Sequence, residues 1–213
     1  MYPITPIVKK ILILNIAIFF AQSLLSFDLI DLLGLRCILS SYFKPYQFFT
    51  HLFVHASFSH LFSNMFALWV FGRRVEDACG SWRFLLFYLL VGYGSDLIYV
   101  FVNAKSHIPV IGASGAVFGV MGAYLILYPR GRIRTLIFWF SFIPSWPKIR
   151  AFWVILYFLA IQLIPAMDIL MNDTQGEYSV AYWGHLGGFF ASLTILLFLR
   201  PEAFARYWSD TKV

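Results

Sequence analysis

The stretch Ile111–Gly122 reads IGASGAVFGVMG and lies within an uncharged run that extends from Val110 to Tyr128. A helix of this length crosses most of a bilayer core of ~30 Å, and Pro129-Arg130 ends the run. Its glycines recur at steps of three and four residues, which creates a flat helix face that a second backbone can approach closely. The run therefore predicts a membrane helix in which one hydroxyl, that of Ser114, lies beside a closely packed face.

The composition indicates a membrane protein with several spans. Of 213 residues, 61% are hydrophobic and 12% are charged, whereas an average soluble protein has about 25% charged residues. The formal net charge of +6 arises from Lys and Arg clusters at the ends of apolar runs, where such residues anchor and orient helices. We therefore expect the lipid bilayer as a partner, and not nucleic acid. A single domain is expected over residues 1–213, with a core at about 45–200.

Six apolar runs predict an all-α bundle with six membrane spans. The spans are residues 8–27, a second helix ended by Gly72-Arg73-Arg74, and residues 84–102, 110–128, 151–167 and 182–199. Two connections are expected to lie in the membrane interface. Residues 28–47 are too irregular to span, and residues 130–150 form a loop because their apolar part is short and is broken by prolines.

The distribution of basic residues predicts the orientation of the bundle. An even number of spans places both termini on one side, and all 16 Lys and Arg residues except Arg36, Lys44 and Lys105 then fall on that side. This excess places both termini in the cytoplasm. We expect a multi-pass integral protein of a bacterial plasma membrane.

Ser114 and His185 are expected at the same depth in the membrane. Counted from Arg130 and Arg200 at ~1.5 Å per residue, they lie about 24 Å and about 22 Å above the cytoplasmic ends of their helices. Taken alone, each side chain is well explained as a hydrogen bond within or between helices. Together they predict a pair in which His185 accepts the Ser114 proton. Since the carboxylates other than Asp96 lie in loops or near the termini, we expect a dyad without a third, orienting group.

Two further side chains are candidates for binding an oxyanion. His60 and Asn64 are four residues apart on the second helix and project from one face toward the level of Ser114. Together with the backbone N–H of Ser114, they can donate hydrogen bonds to a developing negative charge, each worth about 3 kcal/mol. The simpler interpretations are an interhelical hydrogen bond for Asn64 and an interfacial anchor for His60.

Three motifs resemble those of the rhomboid intramembrane serine proteases. Gly112-Ala113-Ser114-Gly115 is similar to their GxSG motif, and His60 with Asn64 is similar to their HxxxN element. Gly184-His185-Leu186-Gly187-Gly188 resembles the histidine segment of their sixth helix. The resemblance extends over about residues 45–200, with the motifs on the matching helices.

The resemblance implies a rhomboid-like bundle that cleaves single-pass membrane proteins near their extracytoplasmic end through an acyl-enzyme. It implies that Ser114 and His185 are catalytic and that His60, Asn64 and the Ser114 amide bind the oxyanion. No cofactor and no metal are expected. Phe118 stands where some members have tyrosine, so its ring can stack on the imidazole without offering a hydroxyl. The expected supporting residues of the site are Gly112, Gly115, Phe118 and Gly188.

Other functions remain as alternatives. A catalytically silent rhomboid-like protein would use the same scaffold to bind client transmembrane helices, although Ser114 and His185 are both present. A metal site built from His51, His55 and His60 has no acidic residue in the same segment to act as a ligand or base. A transporter or proton relay would rest on Asp96 alone, which is more readily explained by a bond to a neighbouring helix.

Overall fold

The computed structural model describes residues 3–25, 28–103, 108–138, 144–172 and 180–199. The described part is dominated by helices, and their bounds are as follows: α1 (Pro6–Leu24), α2 (Leu29–Leu33), α3 (Gln47–Thr50) followed by a 3₁₀ turn (His51–Phe53), α4 (Phe58–Ala67), a π-helical turn (Leu68–Gly72), α5 (Arg73–Cys79), α6 (Ser81–Val102), α7 (Ser114–Leu127), α8 (Ala151–Asn172) and α9 (Tyr182–Leu199).

Four of these helices are long and apolar enough to cross a membrane. They are α1, α6, α8 and α9, and α7 is a shorter apolar helix. Their outward faces carry large exposed apolar side chains, such as Phe20 of α1 and Ile164 of α8, which are 61% and 78% exposed. Apolar side chains on the outside of a bundle are what contact with lipid requires. The chain is a multi-pass integral membrane protein.

The expected end of the second helix at Gly72-Arg73-Arg74 is wrong. The helix continues through the π-helical turn and α5 to Cys79, and it ends at Gly80, whose φ is +83°. Arg73 and Arg74 end the apolar segment but not the helix, because arginine is a good helix former and because Val75, Glu76 and Cys79 are buried in the fold. A glycine with positive φ then provides the stop.

The N-terminus of α1 is attached to this extension by Glu76. The Glu76 carboxylate accepts hydrogen bonds from the backbone N–H groups of Ile7 and Val8, both at 2.9 Å, and from the Ser81 hydroxyl at 2.7 Å. The first N–H groups of a helix have no partner within it, so a carboxylate at this position satisfies them and complements the helix dipole. Glu76 is 2% exposed.

The connection between α7 and α8 is a two-stranded ribbon, where the sequence predicted an interfacial loop. β1 (Arg132–Arg134) pairs antiparallel with β4 (Lys148–Arg150), and β2 (Ile137–Phe138) pairs with β3 (Pro144–Ser145). The alternation Arg-Ile-Arg and Lys-Ile-Arg has the period of two that strands require. Proline at the start of β3 is compatible with the short second pair.

The centre of the bundle is formed where α6, α7 and α9 meet. Every residue of α7 from Gly115 to Tyr124 is buried. A Cβ atom added to Gly188 of α9 would lie 2.0 Å from the Gly115 carbonyl oxygen, so the α7 and α9 backbones are in direct contact. α8 is peripheral by comparison, because only Ala151, Ile155, Ala166 and Ile169 among its residues are buried.

Candidate active site

Ser114 and His185 lie within hydrogen-bond distance of each other. Ser114 Oγ is 2.7 Å from His185 Nε2. Ser114 is the first residue of α7, and His185 lies in the first turn of α9. The glycine contact between Gly115 and Gly188 holds the two helices close enough for a short hydroxyl side chain to reach the imidazole. His185 is 8% exposed, so its imidazole is largely buried, whereas Ser114 is half-buried.

The start of α7 differs from the expected start of the fourth span. The sequence predicts the span from Val110, but Val110 forms an antiparallel bridge with Leu35, and the helix begins at Ser114. Gly112 has a φ of +99°, a backbone conformation that favours glycine. This arrangement places Ser114 at the N-terminus of α7, where the backbone N–H groups have no partner within the helix.

The other nitrogen of His185 is bonded to Gln162 of α8. His185 Nδ1 lies 2.8 Å from Gln162 Oε1. In this arrangement the Gln162 amide oxygen accepts from Nδ1–H, and in that tautomer of the neutral imidazole Nε2 is the acceptor that faces the Ser114 hydroxyl. The Ser114–His185 pair was expected to lack a third group, but in the structure Gln162 is bonded to the second nitrogen of the imidazole.

Gln162 was not predicted from the sequence, because an orienting group was expected to be a carboxylate. A usable signal was present, since Gln162 is an amide in the middle of the apolar run Ala151–Met167. A polar side chain inside a membrane helix is expected to have a polar partner.

Phe118 stacks on the imidazole of His185. Their ring centroids are 4.7 Å apart with an interplanar angle of 9°. Phe118 lies one turn after Ser114 on α7, so the same helix carries the hydroxyl and the ring that covers its partner. The imidazole is thus fixed by a stacked ring and by hydrogen bonds at both nitrogens.

His60 and Asn64 approach the backbone just before Ser114. A Cβ atom added to Gly112 would lie 2.7 Å from His60 Nε2 and 3.7 Å from Asn64 Nδ2, so both side chains lie close to this glycine. Asn64 Nδ2 donates one hydrogen bond to the His60 carbonyl at 3.0 Å. An amide nitrogen has two protons, and the second is available for another acceptor. The structure therefore brings both predicted oxyanion donors to the start of α7.

Like Gln162, Ser95 of α6 lies beside the site and was not predicted from the sequence. Its hydroxyl donates to the carbonyl of Gly184, the residue before His185, at 2.7 Å. The same hydroxyl oxygen would lie 2.1 Å from a Cβ atom on Gly115, so Ser95 occupies the space that a larger residue at position 115 would need. Ser95 contacts α7 and α9 beside the dyad.

His51, His55 and Asp96 have structural partners. His51 Nε2 and Asp96 Oδ2 are 2.9 Å apart, and both side chains are buried. The backbone of His55 is held by Gln22 of α1, which donates to its carbonyl at 3.0 Å and accepts from its N–H at 3.1 Å. Within the described ranges, no three His, Cys, Asp or Glu side chains form a cluster that could hold a metal ion.

The fold and site define a class of multi-pass membrane proteins with a serine and a histidine paired between two helices. A family model described as the rhomboid domain matches residues 42–202. The chain belongs to the rhomboid family, which confirms the resemblance seen in its motifs.

The chain is similar to rhomboids from plants and bacteria. The chain is 31% identical to RHOMBOID-like protein 1 of Arabidopsis thaliana over 165 residues, which are 75% of this chain and 36% of that protein. It is 44% identical to Rhomboid protease GluP of Bacillus subtilis over 81 residues, 38% of this chain and 15% of that one. It is 42% identical to Rhomboid-like protein 11, chloroplastic, of Arabidopsis thaliana over 82 residues, 38% of this chain and 29% of the relative. The matches span less than half the length of each of these relatives.

Proposed function

We propose that this protein is an intramembrane serine endopeptidase that cleaves single-pass transmembrane proteins near their extracytoplasmic side. One observation carries the proposal: Ser114 Oγ lies 2.7 Å from His185 Nε2, while His185 Nδ1 is bonded to an acceptor. A hydroxyl, a base and a group that orients the base are the parts that an activated serine nucleophile requires. Membership of the rhomboid family supports the same reaction class.

The proposed reaction proceeds through an acyl-enzyme. Nε2 of His185 removes the Ser114 proton as Oγ attacks the carbonyl carbon of the scissile peptide bond. The tetrahedral intermediate breaks the C–N bond, and His185 returns the proton to the departing amine. A water molecule, deprotonated in turn by His185, then hydrolyses the Ser114 ester and releases the second product.

The negative charge of the tetrahedral intermediate has three candidate donors. The backbone N–H of Ser114 is at a helix N-terminus, and His60 and Asn64 lie beside Gly112. Donors that are positioned before the reaction stabilise such a charge most effectively where water is largely excluded. We assign these three groups to the oxyanion site.

The proposal includes six crossings with both termini in the cytoplasm. The spans would be α1, the helix formed by α4 and the π-helical turn, α6, α7, α8 and α9, with α5 extending the second helix beyond the membrane. The single domain over residues 1–213 stays a prediction. So does the bacterial plasma membrane, because the names of the relatives include a chloroplastic protein as well as a Bacillus one.

The decisive experiment is a cleavage assay with purified protein in liposomes and a single-pass substrate whose helix is weakened near its outer end. Wild-type protein should release two fragments and should react covalently at Ser114 with a fluorophosphonate. Ser114→Ala and His185→Ala should abolish cleavage. Ser23→Ala is a matched control, because Ser23 is exposed on α1 and its hydroxyl donates to the Phe19 carbonyl of its own helix at 3.4 Å, with no other bond among the described residues.

Each outcome separates the protease from the silent alternative. A product that persists in Ser114→Ala would contradict the proposal. Stable binding of the substrate helix without cleavage, and without labelling of Ser114, would support a protein that only holds client helices.

A further inference from the structure

The ribbon between α7 and α8 presents four cations on one face. In the register of the ribbon, Arg132 lies directly opposite Arg150, and Arg134 lies directly opposite Lys148. Residues that face each other across an antiparallel pair, and residues two apart along a strand, point to the same side. All four side chains are exposed. We call this surface the basic face.

The opposite side of the ribbon is attached to the protein. Ile133 and Ile149, which lie between the cations, are half-buried, and Ile133 packs against the hydrophobic core. The base of the ribbon is closed by a hydrogen bond of 2.8 Å from the Ala151 N–H to the Gly131 carbonyl. The basic face is therefore directed away from the bundle by packing and does not depend on the freedom of a loop.

The pairing of cations on this face is unfavourable for the ribbon alone. Like charges placed directly opposite each other on a strand pair destabilise it. Within the described ranges, no carboxylate forms an ion pair with a cation of the basic face. An external anion would remove the repulsion, so the charge pattern itself indicates the chemistry of a ligand.

The position of the ribbon indicates where that anion is found. β4 ends at Arg150, and α8, a candidate membrane span, begins at the next residue. Farther along the ribbon, Leu136 and Trp146 are 41% and 59% exposed. Tryptophan and leucine next to basic residues favour the boundary between acyl chains and headgroups. These neighbours favour the depth of the phospholipid phosphates for the basic face.

We propose that the basic face is a binding site for anionic phospholipid headgroups of the leaflet in which α8 begins. The guanidinium groups of Arg132, Arg134 and Arg150 are suited to bidentate contacts with phosphate, and Lys148 adds a point charge. The inference is independent of the proposed proteolysis, since it concerns a surface on the connection between α7 and α8 and its readout is lipid binding.

The proposal is tested by titrating the purified protein in detergent with anionic phosphatidylglycerol and with zwitterionic phosphatidylcholine. Native mass spectrometry counts the bound lipid. Wild-type protein should bind the anionic lipid more tightly, and added salt should weaken this binding because the charges are exposed. Arg134→Gln with Lys148→Gln should weaken it by roughly fivefold for each charge removed. The matched control is Lys9→Gln with Lys10→Gln, which removes two exposed cations from α1.

A charge reversal keeps the test valid if neutralisation perturbs the ribbon. Lys148→Glu places a carboxylate opposite Arg134, so it should maintain or raise the thermal stability in neutral detergent while it weakens anionic lipid binding. Equal affinity of wild-type protein for both lipids would overturn the proposal. So would an equal loss in the Lys9 and Lys10 control, or tight binding of an acidic peptide or an oligonucleotide to the basic face without a preference among lipids.

Discussion

The contact between α7 and α9 and the flank formed by α8 hold the same imidazole in different ways. On the α7 side, two backbones touch at Gly115 and Gly188, and the partner of His185 is a one-carbon hydroxyl side chain. On the α8 side, little is buried, and the partner is the longer amide of Gln162. Backbone packing at Gly115 and Gly188 therefore sets how closely Ser114 and His185 approach each other, whereas α8 supplies the acceptor for Nδ1 of His185.

The largest expected effect comes from separating α7 and α9. In Gly188→Ala the new Cβ would lie 2.0 Å from the Gly115 carbonyl oxygen, and backbone atoms cannot move aside as a flexible side chain can. We expect the free energy of unfolding to fall by about 3 kcal/mol and cleavage to be lost. Unfolding in a denaturing detergent and the cleavage assay measure the two effects.

Gly80→Ala is the graded control for this prediction. A Cβ atom at Gly80 meets nothing within 4 Å, so backbone strain at φ +83° is the cost of the substitution, roughly 1–3 kcal/mol. Gly80→Ala should therefore lower stability but keep cleavage. If it lost cleavage to the same extent as Gly188→Ala, the helix contact would not be what limits the Ser114–His185 pair.

Asn64→Ala tests whether Asn64, which lies next to the start of α7, donates a hydrogen bond to the oxyanion. The substitution removes an amide that lies beside Gly112 and whose remaining proton can reach a developing charge. We expect kcat to fall by about 10² to 10³. The thermal midpoint should change little, because the bond that is lost joins Asn64 to its own helix. An unchanged kcat would remove Asn64 from the oxyanion site.

Gln162→Leu removes the hydrogen bond between α8 and the imidazole of His185. Without an acceptor at Nδ1, the imidazole can adopt the tautomer that cannot accept the Ser114 proton, so kcat should fall by about 10- to 100-fold with KM and stability nearly unchanged. Gln162→Glu keeps an acceptor and should retain most of the activity. The rate of fluorophosphonate labelling at Ser114 should follow the same order.

The neighbouring residue supplies the control for Gln162. Leu163 is 50% exposed, and Leu163→Ala should leave kcat unchanged. Equal activity of Gln162→Leu and wild-type protein would show that α7 and α9 orient the imidazole by themselves.

Ser95→Ala should have the smallest effect in this comparison. The substitution removes one hydrogen bond to the Gly184 carbonyl, which is worth about 1 kcal/mol of the free energy of unfolding. Cleavage should change by less than about threefold, because Ser95 contacts the helix that carries His185 and not the imidazole itself. A loss as large as that in Gln162→Leu would assign Ser95 a direct role in placing the dyad.

Much of the helical framework could be predicted because apolar runs and glycine spacing are local signals. The sixth predicted span, residues 182–199, has the bounds of α9. The start of α7 could not be predicted, since it depends on the pairing of Val110 with Leu35, which is distant in the chain. The continuation of the second helix past Gly72 was not predicted either, because the end of the apolar run was equated with the end of the helix.

The candidate site was predictable to the extent that small residues mark it. Ser114 and His185 lie in glycine-containing segments, and the same motifs carry the family resemblance. Gln162 lies in a segment without such a motif, and its role depends on how α8 packs beside α9. The partner of Asp96 was equally hidden, because His51 is carried by a short turn whose position in the fold no local pattern reports.

The carboxylate of Glu76 makes the attachment of α1 sensitive to acid. Burial raises the pKa of Glu76. The hydrogen bonds from Ile7, Val8 and Ser81 lower this pKa by a larger amount, so the net pKa is below its ordinary value of 4.5. A lowered pKa in the folded state stabilises the protein above pH 4.5, and this contribution disappears as the pH falls through the lowered value. Acidification should therefore release the first turn of α1. Hydrogen exchange of the α1 amides in wild-type protein and in Glu76→Gln would detect this release.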